Sequence, residues 1–247
     1  MKKHIPNFLT ICNLICGCLA INQAFWSSIA CTPVAFYKWT LYFVLAAAVF
    51  DILDGFAARL LKAYSPIGKQ LDSFADMISF GIVPAIITAG LFWRSVKMFD
   101  NILLNKISFV SSIFIAIFSA LRLAKFNIDD RQTSSFIGLA VPANAIFWTG
   151  LGYTFHMQLR DFPIVIALLM AISCFLLVCN LPMFSLKFKN FKWKGNEFQF
   201  ILIICSIILL IFLRLDAFMW MIVLYVLLSI IKFLVCKKTE NVPSQNN

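Results

Sequence analysis

The sequence predicts an all-α, polytopic membrane protein built as a bundle of about eight transmembrane helices. Of its 247 residues, 62% are apolar and only 13% are charged, whereas soluble domains average roughly 45–50% apolar and about 25% charged residues. The mean hydropathy is +0.90. The apolar residues also form long runs, and a run of about 20 residues is enough to cross the hydrocarbon core of a bilayer.

We predict a single integral membrane domain over residues 1–247, in which six helices form a core at 1–181. A basic connector at 182–197 alternates Lys with Phe, Asn and Trp, a composition that suits a segment resting on membrane lipids. Two additional spans follow at 198–236, and a polar tail occupies 237–247. The spans are expected at 7–26, 39–60, 70–93, 106–126, 138–155, 162–181, 198–213 and 216–235.

The placement of basic residues predicts the orientation of these spans. Of the 21 Lys and Arg residues, 15 fall on the side that carries both termini and 6 fall on the opposite side. Since cytoplasmic loops are enriched in Lys and Arg, both termini are expected in the cytoplasm. The net charge of +10 then reflects this bias and anionic headgroups. No nucleic-acid module is present in the sequence, so no nucleic-acid partner is expected. The last two spans are separated only by Leu213–Asp216, which predicts a tight hairpin.

Cysteine and histidine do not provide a metal site or a nucleophile. The 8 cysteines are scattered without a C-x-x-C pair, and the 2 histidines are far apart in sequence. We interpret the cysteines as small buried apolar residues. No Ser-His or Cys-His pair suggests a covalent intermediate, which favours direct displacement chemistry.

Four of the 11 acidic residues lie inside the second and third predicted spans, where carboxylates cost several kcal/mol each. In the second span, one helical face (i, i+3, i+4, i+7, i+8) carries Asp51, Asp54, Gly55, Ala58 and Arg59. In the third span, Gly68, Asp72 and Asp76 follow at i, i+4 and i+8. Ser65-Pro66 interrupts the chain between them, so two adjacent antiparallel helices would bring the four carboxylates together.

Converging carboxylates repel one another in a low dielectric, and a divalent cation removes the repulsion. Oxygen-only ligands favour Mg²⁺ or Mn²⁺, with Ca²⁺ also possible, over zinc. Asp51 precedes Lys62 by 11 residues, or roughly 16 Å of helix. The site is therefore expected below the cytoplasmic surface, within reach of a substrate that has a polar head and lipid tails. Small residues also serve helix packing, and Arg59 either binds phosphate or extends to the interface.

An acidic cluster in a membrane also suits a cation-coupled transporter, which is the alternative of another class. That reading predicts charged residues spread over several spans. Here the interior acids are confined to the second and third spans.

The pattern D-x2-D-G-x2-A-R-x8-G-x3-D-x3-D resembles the signature of the CDP-alcohol phosphotransferases at every fixed position. Within that family, four further segments resemble the bacterial and archaeal enzymes that use L-serine as the acceptor. They are 5–10, 71–85, 120–127 and 136–143, with Ala140 where that pattern has proline. The resemblance covers roughly residues 5–145.

The resemblance implies transfer of a phosphatidyl group from CDP-diacylglycerol to L-serine, giving phosphatidylserine and CMP, by a homodimer in the cytoplasmic membrane with its active site facing the cytoplasm. It implies metal ligation by the four aspartates, with Asp76 as the general base for the alcohol. The residues expected to contact the CDP-lipid are Asn7, Thr10, Gly55, Ala58, Arg59 and Gly68.

The acceptor is the less defined substrate. A cation near the site should bind the serine carboxylate, and the candidates are Arg122, Lys125 and Arg131, each of which alternatively anchors the orientation of the fourth span. The nearest alternative acceptor is glycerol-3-phosphate, which would make the product phosphatidylglycerophosphate. A doubly charged phosphate would require more clustered cations near Asp76.

Overall fold

The structure is a computed structural model that describes residues 4–63, 65–96, 110–128, 136–184, 193 and 196–240. Within these residues the helices are α1 (His4–Ile29), α2 (Pro33–Leu60), α3 (Pro66–Asp76), α4 (Val83–Val96), α5 (Ile113–Ile128), α6 (Val141–Leu159), α7 (Pro163–Val178), α8 (Glu197–Leu213) and α9 (Ala217–Glu240). A π-helical turn (Met77–Ile82) joins α3 to α4, and a 3₁₀ turn (Arg214–Asp216) joins α8 to α9. The predicted all-α class is confirmed.

The first three predicted spans form the side of the bundle that carries the aspartates. Helices α1 and α2 form an antiparallel hairpin, in which Thr10 near the start of α1 meets Asp54 near the end of α2. Helix α3, the π-helical turn and α4 form one continuous stretch that runs parallel to α1, with Gly17 against Ser79. The end of α2 and the start of α3 therefore lie at the same end of the bundle.

The connection between α2 and α3 shows why the chain reverses there. Lys62 adopts a left-handed backbone conformation with φ 49°. Ser65 caps α3 by accepting a hydrogen bond from the Gly68 amide at 3.0 Å, and Pro66 occupies the first helical position, where proline is favoured. The predicted break at Ser65-Pro66 is confirmed.

Helix α6 closes the core against α2, α4 and α7. Gly152 allows α6 to approach the side chains of Tyr37 and Ile87, since a Cβ at this position would lie 2.8 Å from the tyrosine ring. The fully buried Trp148 indole donates a hydrogen bond to Ser173 of α7 at 3.1 Å. Further along, the Ser95 hydroxyl donates to the Arg160 carbonyl at 2.7 Å, so α6 runs parallel to α4.

A short ladder, not predicted from the sequence, ties the start of α6 to the end of α7. Strand β1 (Phe136–Ile137) pairs antiparallel with β2 (Pro182–Met183). Gly138 follows with φ +76°, and a Cβ there would lie 2.9–3.1 Å from three carbonyl oxygens, so glycine is required. A two-residue strand is too short to show the alternation by which strands are recognised.

The last two helices form the hairpin that the sequence predicts. The chain reverses at Arg214–Asp216, and Leu202 of α8 packs with Leu228 of α9 at equal distances from the reversal. The Thr154 hydroxyl of α6 donates to Asp216 Oδ1 at 2.9 Å, which attaches the tip of the hairpin to the core.

Four helical stretches of the described residues are long and apolar enough to cross a membrane: His4–Ile29, Pro33–Leu60, Pro66–Ser95 and Glu197–Val235, the last of which contains both α8 and α9. Apolar side chains such as Ile52 (68% exposed) and Leu60 (69% exposed) point away from the core, as expected for a lipid-facing surface. The protein is thus an integral membrane protein. The count of eight spans and the cytoplasmic termini stay predictions. Most of the predicted connector and the residues after 240 lie outside the described residues.

Candidate active site

Three of the four predicted aspartates converge where α2 meets α3. Asp51, Asp72 and Asp76 each offer one carboxylate oxygen, and these oxygens lie within 4.8 Å of one another. All three side chains are partly buried. The helical periodicity of the motif therefore brings both helix faces together, as predicted. Carboxylates this close require a shared cation or a proton to offset their repulsion.

Asp54 lies beside this trio but is oriented by a different contact. Its side chain is only 5% exposed, and its Oδ2 accepts a hydrogen bond from the Thr10 hydroxyl at 2.7 Å. Thr10 is itself buried at 3% exposure. The predicted lipid contact Thr10 is therefore directed at a carboxylate, which it holds in place from α1.

Sequence reasoning did not identify Asn13 and Ser79 as site residues. Asn13 is fully buried and donates from Nδ2 to Asp76 Oδ1 at 3.2 Å. Ser79, also fully buried, donates to Asn13 Oδ1 at 2.8 Å. Asn13 could have been recognised from the sequence, because it is a polar side chain in an apolar span. It follows Thr10 by three residues, which places both on the same helix face.

The α2 residues predicted to contact the CDP-lipid leave an open surface next to the trio. A Cβ added at Gly55 would meet nothing within 4 Å. The exposed Arg59 side chain donates from Nε to the Gly55 carbonyl at 3.0 Å, which holds the guanidinium along the helix. Ala58 is partly exposed beside it. Of these residues, Gly55 and Ala58 leave space and Arg59 supplies a fixed positive charge.

Gly68 and Asn7 are in contact with each other. A Cβ at Gly68 would lie 2.9 Å from Asn7 Oδ1 and 2.8 Å from the Ser65 hydroxyl. The glycine therefore allows α3 to approach the start of α1. This packing explains the glycine without a ligand, while Asn7 itself is partly exposed.

The predicted acceptor-side cations are in different environments. Arg122 is only 4% exposed, and its guanidinium carbon lies 5.5 Å from the Phe126 ring centre. Lys125 is exposed and donates to the Val178 carbonyl at 3.3 Å, so it fastens α5 to the end of α7. Arg131 lies outside the described residues.

The register between α5 and the third span gives the depth of Arg122. Asn127 donates to Ser73 at 2.9 Å, and the Ser119 side chain lies against Gly81. In this antiparallel register Arg122 is opposite Ile78, two residues beyond Asp76. The backbone of Arg122 is therefore at nearly the same depth as that of Asp76.

The donor set fits a hard divalent cation. Among the described residues, the buried Asp72 Oδ1 has no hydrogen-bond partner, and a buried carboxylate oxygen without a partner is costly. A cation bound among Asp51, Asp72 and Asp76 would satisfy this oxygen and the mutual repulsion of the trio. Carboxylate-only ligation excludes a typical zinc site and suits Mg²⁺ or Mn²⁺.

Known proteins resemble this chain over most of its length. A relative from Bacillus subtilis is 31% identical over 195 residues, covering 79% of this chain and 95% of the relative. One from Helicobacter pylori is 29% identical over 237 residues, covering 93% and 90%, and one from Methanocaldococcus jannaschii is 31% identical over 168 residues, covering 67% and 70%. Each of the three is named CDP-diacylglycerol–serine O-phosphatidyltransferase. Residues 3–186 match the CDP-alcohol phosphatidyltransferase family model. The chain therefore belongs to the CDP-alcohol phosphatidyltransferase family.

Proposed function

We propose that this enzyme transfers the phosphatidyl group of CDP-diacylglycerol to the hydroxyl of L-serine, with phosphatidylserine and CMP as products. The observation that carries the proposal is the convergence of Asp51, Asp72 and Asp76 within 4.8 Å, at the family's motif. The names of the relatives support serine as the acceptor.

On the donor side, Asp51, Asp72 and Asp76 would hold one or two Mg²⁺ or Mn²⁺ ions. Asp54, which accepts a hydrogen bond from Thr10, would add a fourth carboxylate beside them. The cation supplies charge neutralisation for the diphosphate and for the departing CMP. The residues themselves contribute a fixed arrangement of oxygens, because they project from two helices joined by a short capped turn.

The open surface of α2 is where the CDP moiety is placed in this proposal. Gly55 leaves room for the nucleotide to approach the backbone. Arg59 Nε is engaged by the Gly55 carbonyl, so the terminal nitrogens of the guanidinium are directed at the diphosphate, where charge-assisted hydrogen bonds are strongest. The acyl chains would lie in the bilayer beside the exposed apolar face of the same helix.

The transfer step uses Asp76 as general base. Asp76 accepts the proton of the serine hydroxyl while the serine oxygen forms a bond to the β-phosphorus of the CDP-lipid, the phosphorus that carries the lipid. The bond between that phosphorus and the bridging oxygen breaks, and the electron pair leaves with CMP. A carboxylate with an ordinary pKa near 3.9 is a weak base for an alcohol, so alignment of the hydroxyl with Asp76 is essential.

Arg122 is the proposed contact for the serine carboxylate. It is the only Lys or Arg among the described residues that is buried, at 4% exposure, and its backbone lies opposite Ile78, two residues beyond Asp76. A single buried guanidinium matches the single carboxylate of serine. The doubly charged phosphate of glycerol-3-phosphate would leave part of its charge uncompensated there. The site is proposed to open to the cytoplasm, because the distribution of Lys and Arg places the turn after the second span on that side.

A homodimer stays a prediction that crosslinking in native membranes tests.

The test is CMP release by the purified protein in lipid-detergent micelles with CDP-diacylglycerol, Mn²⁺ and either L-serine or glycerol-3-phosphate. CMP release is expected with L-serine and not with glycerol-3-phosphate, and chelation of Mn²⁺ should abolish it. Asp76→Asn should lose turnover yet retain CDP-diacylglycerol binding, whereas the exposed Asp161→Asn serves as the matched control and should keep wild-type turnover. CMP release with glycerol-3-phosphate and not with serine would identify glycerol-3-phosphate as the acceptor. No release with either alcohol would refute the enzyme proposal.

A further inference from the structure

We infer that Asn13 is a positioning residue for Asp76 and that Ser79 holds the Asn13 side chain in place by donating to its amide oxygen. The inference rests on the proposed function, because it concerns the base of that reaction. None of the predicted roles includes either residue. Both are fully buried, within the contact surface between α1 and the π-helical turn.

The contacts form a continuous chain that ends on the reacting carboxylate. The Ser79 hydroxyl lies 2.8 Å from Asn13 Oδ1 and 3.2 Å from the Asn13 backbone oxygen. The Asn13 Nδ2 group then donates to Asp76 Oδ1 at 3.2 Å. Gly17, one turn after Asn13, permits this approach, since a Cβ there would overlap the Ser79 hydroxyl.

The chemistry of the three groups allows only one direction for this chain. An ionised carboxylate accepts hydrogen bonds and cannot donate them, so the amide nitrogen of Asn13 must face Asp76. The amide oxygen then faces Ser79, whose hydroxyl is free to donate. A flipped amide would place its oxygen against the carboxylate, where two acceptors repel each other. In the favoured orientation the amide oxygen accepts the hydrogen bond from Ser79.

The two carboxylate oxygens of Asp76 have different roles in this arrangement. Oδ1 is held by Asn13, which fixes the carboxylate torsion. Oδ2 is then available to accept the proton of the acceptor hydroxyl. Without the amide, the carboxylate would lose the contact that fixes its torsion, and the base would be misaligned although all four aspartates remain. The π-helical turn that starts after Asp76 carries Ser79, and such turns are frequent at functional sites.

The test compares Asn13→Leu, which keeps the side-chain size, with Ser79→Ala and the double variant. A hydrogen bond to a charged group contributes more free energy than one between neutral groups, so its loss in Asn13→Leu should lower kcat about 10- to 100-fold. The KM values for serine and CDP-diacylglycerol should stay within about threefold, since binding is not the altered step. Ser79→Ala should lower kcat by about 3- to 10-fold. The double variant should be no slower than Asn13→Leu, because Ser79 acts on Asp76 only through its hydrogen bond to Asn13.

Two further measurements separate positioning from simple packing. Mn²⁺ affinity, followed by electron paramagnetic resonance of the free ion, should change by less than about tenfold, because none of the aspartates is substituted. Ser229→Ala is the matched control: this hydroxyl is equally buried and donates to the Tyr225 carbonyl at 2.8 Å, outside the site. It should leave kcat unchanged.

The inference is overturned if Asn13→Leu keeps kcat within about twofold of wild type, or if the two single effects multiply in the double variant. A wild-type protein that uses glycerol-3-phosphate instead of serine would refute the proposed acceptor, while the same variants would still decide the role of Asn13, because Asp76 serves either hydroxyl. A wild-type protein that releases no CMP with any alcohol would refute both.

Discussion

Gly17→Ala is expected to disturb the active site from a distance of one helical turn. The added Cβ would overlap the Ser79 hydroxyl and lie 2.9 Å from Ser79 Cα. Carbon atoms in ordinary contact are about 3.5–4.0 Å apart, so α1 and the π-helical turn must separate locally by roughly 0.6–1 Å. Overpacking of this kind costs about 1–3 kcal/mol of stability.

The same displacement acts on the hydrogen bond between Asn13 and Asp76. That bond is 3.2 Å long, and a contact at about 3.6 Å no longer counts as a hydrogen bond. A separation of roughly 0.6 Å therefore removes the bond. We expect Gly17→Ala to lower the melting temperature and also to lower kcat by about 10-fold or more, measured as CMP release well below the melting temperature.

Gly90→Ala is the matched control for this prediction. It lies where α4 meets the same helix α1, and its Cβ would overlap the Ser28 hydroxyl and lie 3.0 Å from Ser28 Cβ. Gly90 is 11 residues from Ser79, or about 16 Å along the helix. It should lower the melting temperature but leave kcat within about twofold. Equal loss of kcat in both variants, or a normal kcat in Gly17→Ala despite a lower melting temperature, would refute the reasoning.

Three further outcomes are expected. Gly55→Ala should keep or raise the melting temperature, since its Cβ meets nothing within 4 Å and alanine favours helix by up to about 1 kcal/mol, but it should raise the KM for CDP-diacylglycerol; an unchanged KM would place the nucleotide elsewhere. Arg122→Ala should raise the serine KM by about 10- to 100-fold with little change in CDP-diacylglycerol affinity, and no change would remove Arg122 from the serine pocket. Ala140→Pro should stabilise the protein by about 0.4–1 kcal/mol in thermal unfolding, because Ala140 has φ −68°, close to the value near −65° that proline imposes; a lower melting temperature would contradict this.

The helical faces of the motif could be predicted from the sequence because periodicity alone determines them. The spacing of Asp51, Asp72 and Asp76 predicted a shared site, and the opposite face of α2, with Ile52 and Phe56, is exposed as expected. Helix boundaries were less accurate, because hydropathy marks the apolar run and not the first hydrogen bond. Helix α2 begins at Pro33, earlier than the predicted span, since proline is favoured at a first helical position.

The supporting contacts could not be predicted, because they depend on how helices approach one another. Asn13 and Ser79 are 66 residues apart in the chain, and no periodicity connects them. The π-helical turn adds one residue to a helical turn without changing the apolar composition, so the sequence pattern does not reveal it. Gly68 was predicted to contact the lipid, whereas its contact with Asn7 depends on a packing distance that only the structure supplies.

The parallel course of α1 and the third span has a consequence for biosynthesis. Every contact described within the donor site joins residues of the first third of the chain, from Thr10 to Ser79. Domains and their parts form in the order of synthesis, and every partner in these contacts is synthesised before residue 80. The carboxylates and the side chains that orient them are therefore all in the membrane before α5 leaves the ribosome. The donor site can therefore assemble before Arg122 is synthesised. Mutations after residue 110 should alter the choice of acceptor alcohol more readily than the binding of CDP-diacylglycerol.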